Sequence, residues 1–126
     1  MKRLFLIGIL LLVAAPAQAA RYYQPAGDPE LAVQAIITEA ENQGLEGMIA
    51  AGEAIRNGAR VQIKARRLAK APAWVWRQAR EAWRLSKGTN TVKGAAFFEN
   101  IKAFGEPGWA KGKRVTAIVR DHVFYV

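Results

Sequence analysis

The sequence predicts an α+β domain, in which a helical N-terminal part precedes a small antiparallel sheet toward the C-terminus. Two observations support this fold class. Between residues 29 and 85, apolar side chains recur at the three- and four-residue spacing of amphipathic helices, interrupted by Gly and Pro. After Gly94 the pattern changes to short runs of β-branched and aromatic residues, which are typical of strands.

An export signal is expected ahead of this domain. Lys2 and Arg3 precede an apolar run over 4–15, and a Pro-Ala-Gln-Ala segment at 16–19 follows it. This order of charged, apolar and cleavage regions is typical of a secretory signal peptide. The apolar run is shorter than the ~20 residues that a membrane-spanning helix needs, so an uncleaved anchor is the weaker alternative. We therefore expect residues 1–19 to be removed and the protein to be periplasmic or secreted.

The remaining chain of about 106 residues is long enough for one domain and one core. We interpret residues 20–27 as an N-terminal arm and 28–126 as the domain. The sequence has no Cys and a single His, His122. This composition excludes disulfides, thiol nucleophiles and metal sites built from Cys or several His. We expect neither a metal nor a cofactor.

The charge of the chain indicates an anionic partner. Without Lys2 and Arg3, 17 basic residues stand against 10 acidic ones, a formal charge of +7. Between 56 and 84, nine residues are basic and only Glu81 is acidic. Outside the cytoplasm such a field favours the anionic cell wall or a membrane surface over nucleic acid. A solvated basic face that only aids solubility is the alternative, and we expect a monomer.

Each helix has local signals for its start and end. Asp28-Pro29 supplies an N-cap and a first helical residue, and Gly44 a C-terminal stop. Gly47 and Gly52 in the second helix predict close packing against a neighbouring element, because Gly inside a helix costs about 1 kcal/mol relative to Ala. The predicted helices span 29–42, 45–57, 61–71 and 73–85. In the last of these, Trp76, Ala79 and Trp83 form the expected core stripe and Arg77, Arg80 and Arg84 a basic one. The predicted strands span 95–100, 115–119 and 122–126.

The first helix places one carboxylate on its apolar side. At ~100° per residue, Glu39 falls among Ala32, Ala35 and Ile36. The opposite stripe, expected to face water, comprises Glu30, Gln34, Thr38 and Glu41. A carboxylate among apolar neighbours is costly unless it is paired or protonated. Glu39 is therefore either neutralised by an Arg or by backbone groups, or it has a raised pKa, which the C-terminal end of a helix also favours.

A raised pKa is what the general acid of glycosidic bond cleavage requires. A two-carboxylate hydrolase also needs a partner about 5 to 9.5 Å away. Glu46, Glu53 and Glu99 are candidates for that partner, and no pattern marks any of them. In lytic transglycosylation a single Glu protonates the leaving oxygen and then removes the proton from the 6-hydroxyl of the same sugar, which yields an anhydro sugar. The composition permits both reactions.

Three blocks of the sequence resemble the cell wall hydrolases of the spore-cortex-lytic enzyme type. They are AIITEAENQGLEGMIAAGEAIRN at 35–57, KGAAFFENIKAFGEPGW at 93–109 and VTAIVRDHVFYV at 115–126. The resemblance implies a lysozyme-like α+β fold, peptidoglycan glycan strands as substrate and Glu39 as the catalytic acid/base. It also implies glycan contacts at Phe98, Asn100, Trp109, His122 and Tyr125.

The chain departs from the family pattern at Gly58, where Arg is usual, at Phe97, where a more polar residue is common, and over 60–80, where a basic Ala-rich helix replaces an aromatic and Ser-containing loop. We expect an exported enzyme that cleaves the glycan strand of peptidoglycan, in the manner of a lytic transglycosylase. Two alternatives are a non-catalytic cell-wall-binding module and a basic protein that acts on membranes or nucleic acid.

Overall fold

The computed structural model describes residues 21–126 and confirms a mixed α+β architecture. The predicted signal peptide lies outside the described residues. The helices are α1 (Pro29–Ala40), α2 (Gly44–Arg56), α3 (Ala65–Lys70), α4 (Ala73–Ser86) and α5 (Ile101–Phe104). The strands are β1 (Tyr22–Tyr23), β2 (Val61–Gln62), β3 (Phe97–Asn100), β4 (Val115–Val119) and β5 (His122–Tyr125).

Helices α1, α2 and α4 pack together around the larger of two apolar clusters. Asp28 caps α1 as predicted, since its carboxylate accepts the N–H of Leu31 at 3.1 Å. The cluster is built mainly from Ile36, Ile37, Met48, Ile55, Val75 and Trp83. Ala79 and Trp83 of the predicted core stripe are buried, and Trp76 packs against the same cluster.

Helix α2 also contacts the sheet. Its Ala50 and Ala54 belong to a second cluster with Val92, Ala95 and Phe124, which lie in and around the C-terminal strands. Residues on nearly every side of α2 from Gly47 to Ile55 are therefore buried. Small side chains are needed there, because the helix must fit between the helical layer and the sheet.

The C-terminal sheet is antiparallel with the order β3-β5-β4, which leaves β3 at one edge. A buried carboxylate joins the loop before β3 to the helices. Glu53 accepts the N–H of Val92 at 2.9 Å and the hydroxyls of Thr89 and Thr91. Because these donors satisfy the carboxylate, Glu53 can stay in the core without a cation.

The N-terminal arm differs from its prediction, since it forms secondary structure. Tyr22 pairs with Gln62 and Tyr23 with Val61, so that β1 and β2 form a second small antiparallel sheet. The helix predicted over 61–71 is correspondingly wrong at its start, because Val61 is buried in this pairing and the helix begins only at Ala65.

Two other predictions are corrected around α1. The helix ends at Ala40, and α2 begins at Gly44, whose φ of +70° lies in the left-handed region. Thr38 was expected to face water and is 2% exposed. It is buried because the segment that follows β2 covers it: the N–H of Lys64 donates to its hydroxyl, and the Arg67 guanidinium donates to its carbonyl.

The packing of α2 on α4 is close at one glycine. A Cβ added to Gly52 would lie 2.9 Å from Oγ and 3.0 Å from Cβ of Ser86. Ser86 has little freedom to move, because its hydroxyl donates to the Trp83 carbonyl and accepts from Arg56. For Gly47 the nearest group is instead the side chain of Gln43, directly before α2.

We predict that Gly52→Ala lowers the free energy of unfolding by about 1–2 kcal/mol, because overpacking outweighs the better helix propensity of Ala. Gly88→Ala is the matched control, since its added Cβ meets only the Leu85 carbonyl oxygen at 4.0 Å. Urea unfolding of both variants measures the difference. A Gly52→Ala protein as stable as the parent would contradict the close packing of α2 on α4.

Candidate functional site

An open groove of about 790 Å³ lies between the helical layer and the sheet. Three parts of the chain line it. Glu39 comes from the last turn of α1. The arm and the segment around β2 contribute residues including Tyr22, Arg60 and Lys64. The sheet side contributes β3 and the chain that follows it, with Phe97, Phe98, Glu99, Phe104 and Trp109.

Glu39 is partly buried and has no ion-pair partner within residues 21–126. Burial raises its pKa, and the neighbouring Glu99 carboxylate raises it further. The charges of Lys64 and Arg67 and the backbone amide of Gln62 act in the opposite direction and are weaker than burial. Pairing of Glu39 with an Arg is therefore not supported, whereas the backbone amide of Gln62 does contact it, and the net effect is a pKa above the ordinary value.

Glu99 was one of three unmarked candidates for a second carboxylate, and it is the one that lies in the groove. Its Oε1 accepts the N–H of Asn100 at 3.1 Å. Glu53 is held in the core as described, and Glu46 pairs with Arg120 at 3.6 Å beside a smaller cavity on another face. The groove thus contains two carboxyl groups, from α1 and from β3.

The sheet side of the groove is aromatic. Phe97 and Trp109 are each 43% exposed, and their ring centroids lie 5.8 Å apart. Phe104 is more exposed, at 69%, and Tyr22 of the arm adds a further exposed ring at 64%. Exposed aromatic faces beside an open groove can stack on flat apolar ligand surfaces, including the faces of sugar rings.

The predicted glycan contacts divide into two groups. Phe98 and Trp109 line the groove with Glu39, whereas Asn100, His122 and Tyr125 are absent from its lining. Asn100 instead caps α5, where its Oδ1 accepts the N–H of Ala103 at 3.0 Å. The structure therefore brings together only part of the predicted set.

His122 and Tyr125 lie behind the groove wall and support it. His122 is 2% exposed and packs edge-on against Phe98 with ring centroids 5.3 Å apart. Burial lowers the pKa of His122, which keeps the imidazole neutral near neutral pH. Tyr125 is buried with its ring edge-on to Trp109 at 5.4 Å. Direct contact of these two side chains with a ligand does not fit this placement.

Sequence reasoning missed several lining residues. Tyr22 was assigned to an arm, and its place in the groove depends on pairing with Gln62, far along the chain. Arg60 and Lys64 were counted only as part of the basic stretch. One signal in the sequence could have pointed to Glu99. Successive side chains of a strand point to opposite faces, so Glu99 shares a face of β3 with the aromatic Phe97. Neither Glu46 nor Glu53 has such a position in a strand.

No protein-family model, curated protein or solved structure matches the chain. Within residues 21–126 no helix is long and apolar enough to cross a membrane. Over the same range, His, Asp and Glu side chains form no group of three that could hold a metal ion.

We predict that the pKa of Glu39 responds in opposite directions to two neighbouring substitutions. Glu99→Gln removes a negative charge and should lower it, whereas Lys64→Gln removes a positive charge and should raise it. An NMR titration that follows the side-chain carboxyl carbon of Glu39 measures both shifts. Lys70→Gln is the control, since Lys70 is not among the groups that shift Glu39. A Glu39 pKa that stays unchanged in Glu99→Gln would show that the two carboxyls are not coupled.

Proposed function

We propose that this protein is an exported enzyme that cleaves the glycan strand of peptidoglycan, with Glu39 as general acid and base. The observation that carries the proposal is the carboxyl of Glu39, whose pKa is raised by burial and which has no ion-pair partner among the described residues. It lies in an open groove beside exposed aromatic rings. The resemblance of three sequence blocks to cell wall hydrolases supports the same assignment.

We also propose that the fold is lysozyme-like. A helical layer that carries the acid, a small antiparallel sheet and a groove between them support this proposal. In such an arrangement a glycan strand lies along the groove. Phe98 and Trp109 are the proposed sugar contacts, and Asn100, His122 and Tyr125 hold the sheet side in place.

The proposed step uses one carboxyl twice. The Glu39 carboxyl donates its proton to the glycosidic oxygen as the bond from that oxygen to C1 breaks. The resulting carboxylate then accepts the proton of the 6-hydroxyl of the same sugar, whose oxygen forms a new bond to C1. The products are a shortened strand with a free hydroxyl and a strand that ends in a 1,6-anhydro sugar. No water is consumed, and Glu39 is protonated again at the end.

The Glu99 carboxylate assists this step through charge. A negative group near the reacting carbon stabilises the oxocarbenium-like transition state. It also helps to keep the proton on Glu39 before the reaction. Because Glu39 must start protonated, the rate should fall as the pH rises through its raised pKa.

We predict that Glu39→Gln reduces the clearing of peptidoglycan by roughly 10²- to 10⁴-fold, the usual contribution of a general acid. The thermal melt should stay near that of the parent, because Gln has the shape and charge of the protonated carboxyl. The matched control is Glu41→Gln. Glu41 lies two residues after Glu39 in the chain and outside the groove lining, so this variant should clear walls at the parent rate.

Turbidity of a suspension of purified sacculi measures these rates. If Glu39→Gln clears walls as fast as the parent, the assignment of Glu39 is wrong. If the parent protein binds sacculi and releases no fragments, the protein is instead a non-catalytic wall-binding module, for which the aromatic side of the groove would suffice.

The basic surface of α3 is proposed to attract the anionic wall or a membrane surface. Arg66 and Lys70 are exposed, and neither forms an ion pair with a described residue. They lie four residues apart and so share a face of the helix. This surface and the net positive charge favour an anionic partner, which for an exported protein is the wall or a membrane surface and not nucleic acid.

We predict that the double variant Arg66→Gln/Lys70→Gln still clears sacculi but binds them more weakly than the parent at low salt, and that this difference shrinks as salt increases, because the lost attraction is one that salt screens. Co-sedimentation with sacculi at low and at physiological ionic strength measures the loss. Complete loss of clearing at low salt would favour the alternative of a basic protein that acts through α3.

A further inference from the structure

Two cations of the groove have no acidic partner in the part of the chain that the structure describes. Arg60 and Lys64 both line the groove and both are exposed. The ion pairs within residues 21–126 all use other cations, namely Arg80 with Glu30, Arg84 with Glu81 and Arg120 with Glu46. Arg60 is also absent from the groups that shift the pKa of Glu39, whereas Lys64 is among them.

The backbone that carries these cations is well fixed. The Lys64 N–H donates to the Thr38 hydroxyl at 3.2 Å, one residue before Glu39 in the chain. The side-chain amide of Gln24 donates to the Gly58 carbonyl at 2.8 Å. The segment between these two anchors contains β2, which is paired with the arm. Arg60 and Lys64 therefore belong to a defined side of the groove.

A neutral glycan gives these cations nothing to bind. Cleavage of a glycosidic bond develops positive charge at the reacting sugar, so an unpaired cation nearby opposes the reaction unless an anion of the substrate neutralises it. Peptidoglycan supplies such anions, because alternate sugars carry a lactyl group to which a short peptide with free carboxylates is attached. Chitin-like strands have none, and a strand stripped of its peptides by hydrolysis still keeps one carboxylate on the lactyl group of each alternate sugar.

We infer that Arg60, together with Lys64, binds carboxylates of the stem peptides, so that the groove takes strands with free peptide carboxylates in preference to strands whose carboxylates are absent or blocked. The inference rests on the proposed function, since it names the form of peptidoglycan that the same groove accepts. Arg suits this role, because its planar guanidinium can donate two parallel hydrogen bonds to one carboxylate.

The test measures binding by a protein that cannot cleave. Soluble uncrosslinked glycan strands with their stem peptides are prepared, and in one half the peptide carboxylates are converted to amides with methylamine and a water-soluble carbodiimide. Isothermal titration of the Glu39→Gln protein with each half should give a Kd roughly fivefold lower for the strands with free carboxylates, the upper range for an exposed charge pair. The preference should shrink as salt increases.

Adding Arg60→Gln to this protein should bring the two Kd values together. Adding Arg77→Gln instead should preserve the preference, because Arg77 is an exposed cation of α4 outside the groove lining. Equal Kd values in the Glu39→Gln protein, or a preference that survives Arg60→Gln, would overturn the inference.

The outcome is independent of catalysis. If the parent protein fails to cleave sacculi while the binding preference depends on Arg60, the inference stands and the enzymatic assignment falls. If the parent cleaves sacculi and both kinds of strand bind equally, the proposed function stands and the role of Arg60 is wrong.

Discussion

The burial of α2 on two sides is the constraint on which the rest of the structure depends. One side packs on α1 and α4, where Gly52 leaves no room for a larger residue beside Ser86. The other packs through Ala50 and Ala54 on the sheet, and Glu53 ties the loop before β3 to the same helix. The distance between the helical layer and the sheet is therefore set by small side chains that cannot be compressed further.

This construction explains how two carboxyl groups come to share a groove. Glu39 lies partly buried in the last turn of α1, where desolvation is the largest influence on its pKa. Glu99 lies on the edge strand β3, carried by a different layer. The cations on the arm side of the groove and the aromatic rings on the sheet side then determine which strands it can hold.

Much of the fold could be predicted from the sequence, because its main elements are fixed by local signals. Asp28 and Pro29 begin α1, and the periodicity of α4 identifies its buried stripe. The periodicity of α1 separated Glu39, which lines the groove, from Glu41, which does not, although both side chains are partly buried. What could not be predicted depends on contacts between distant segments. The strand of the arm exists only because Val61 pairs with Tyr23. Thr38 is buried by the segment around Lys64, and the periodicity of α1 by itself does not predict that contact. His122 and Tyr125 have suitable side chains for glycan binding, yet β5 is the central strand and holds both of them behind the wall.

The chemical form of the released fragments tests the account most directly. Sacculi are digested with the purified protein, and the soluble products are analysed by mass spectrometry. The account predicts glycan fragments that end in a 1,6-anhydro sugar, lighter by one water than the corresponding reducing end. Reducing ends would contradict the intramolecular step. Intact glycan strands with cut peptides would contradict the assignment of the groove to the glycosidic bond.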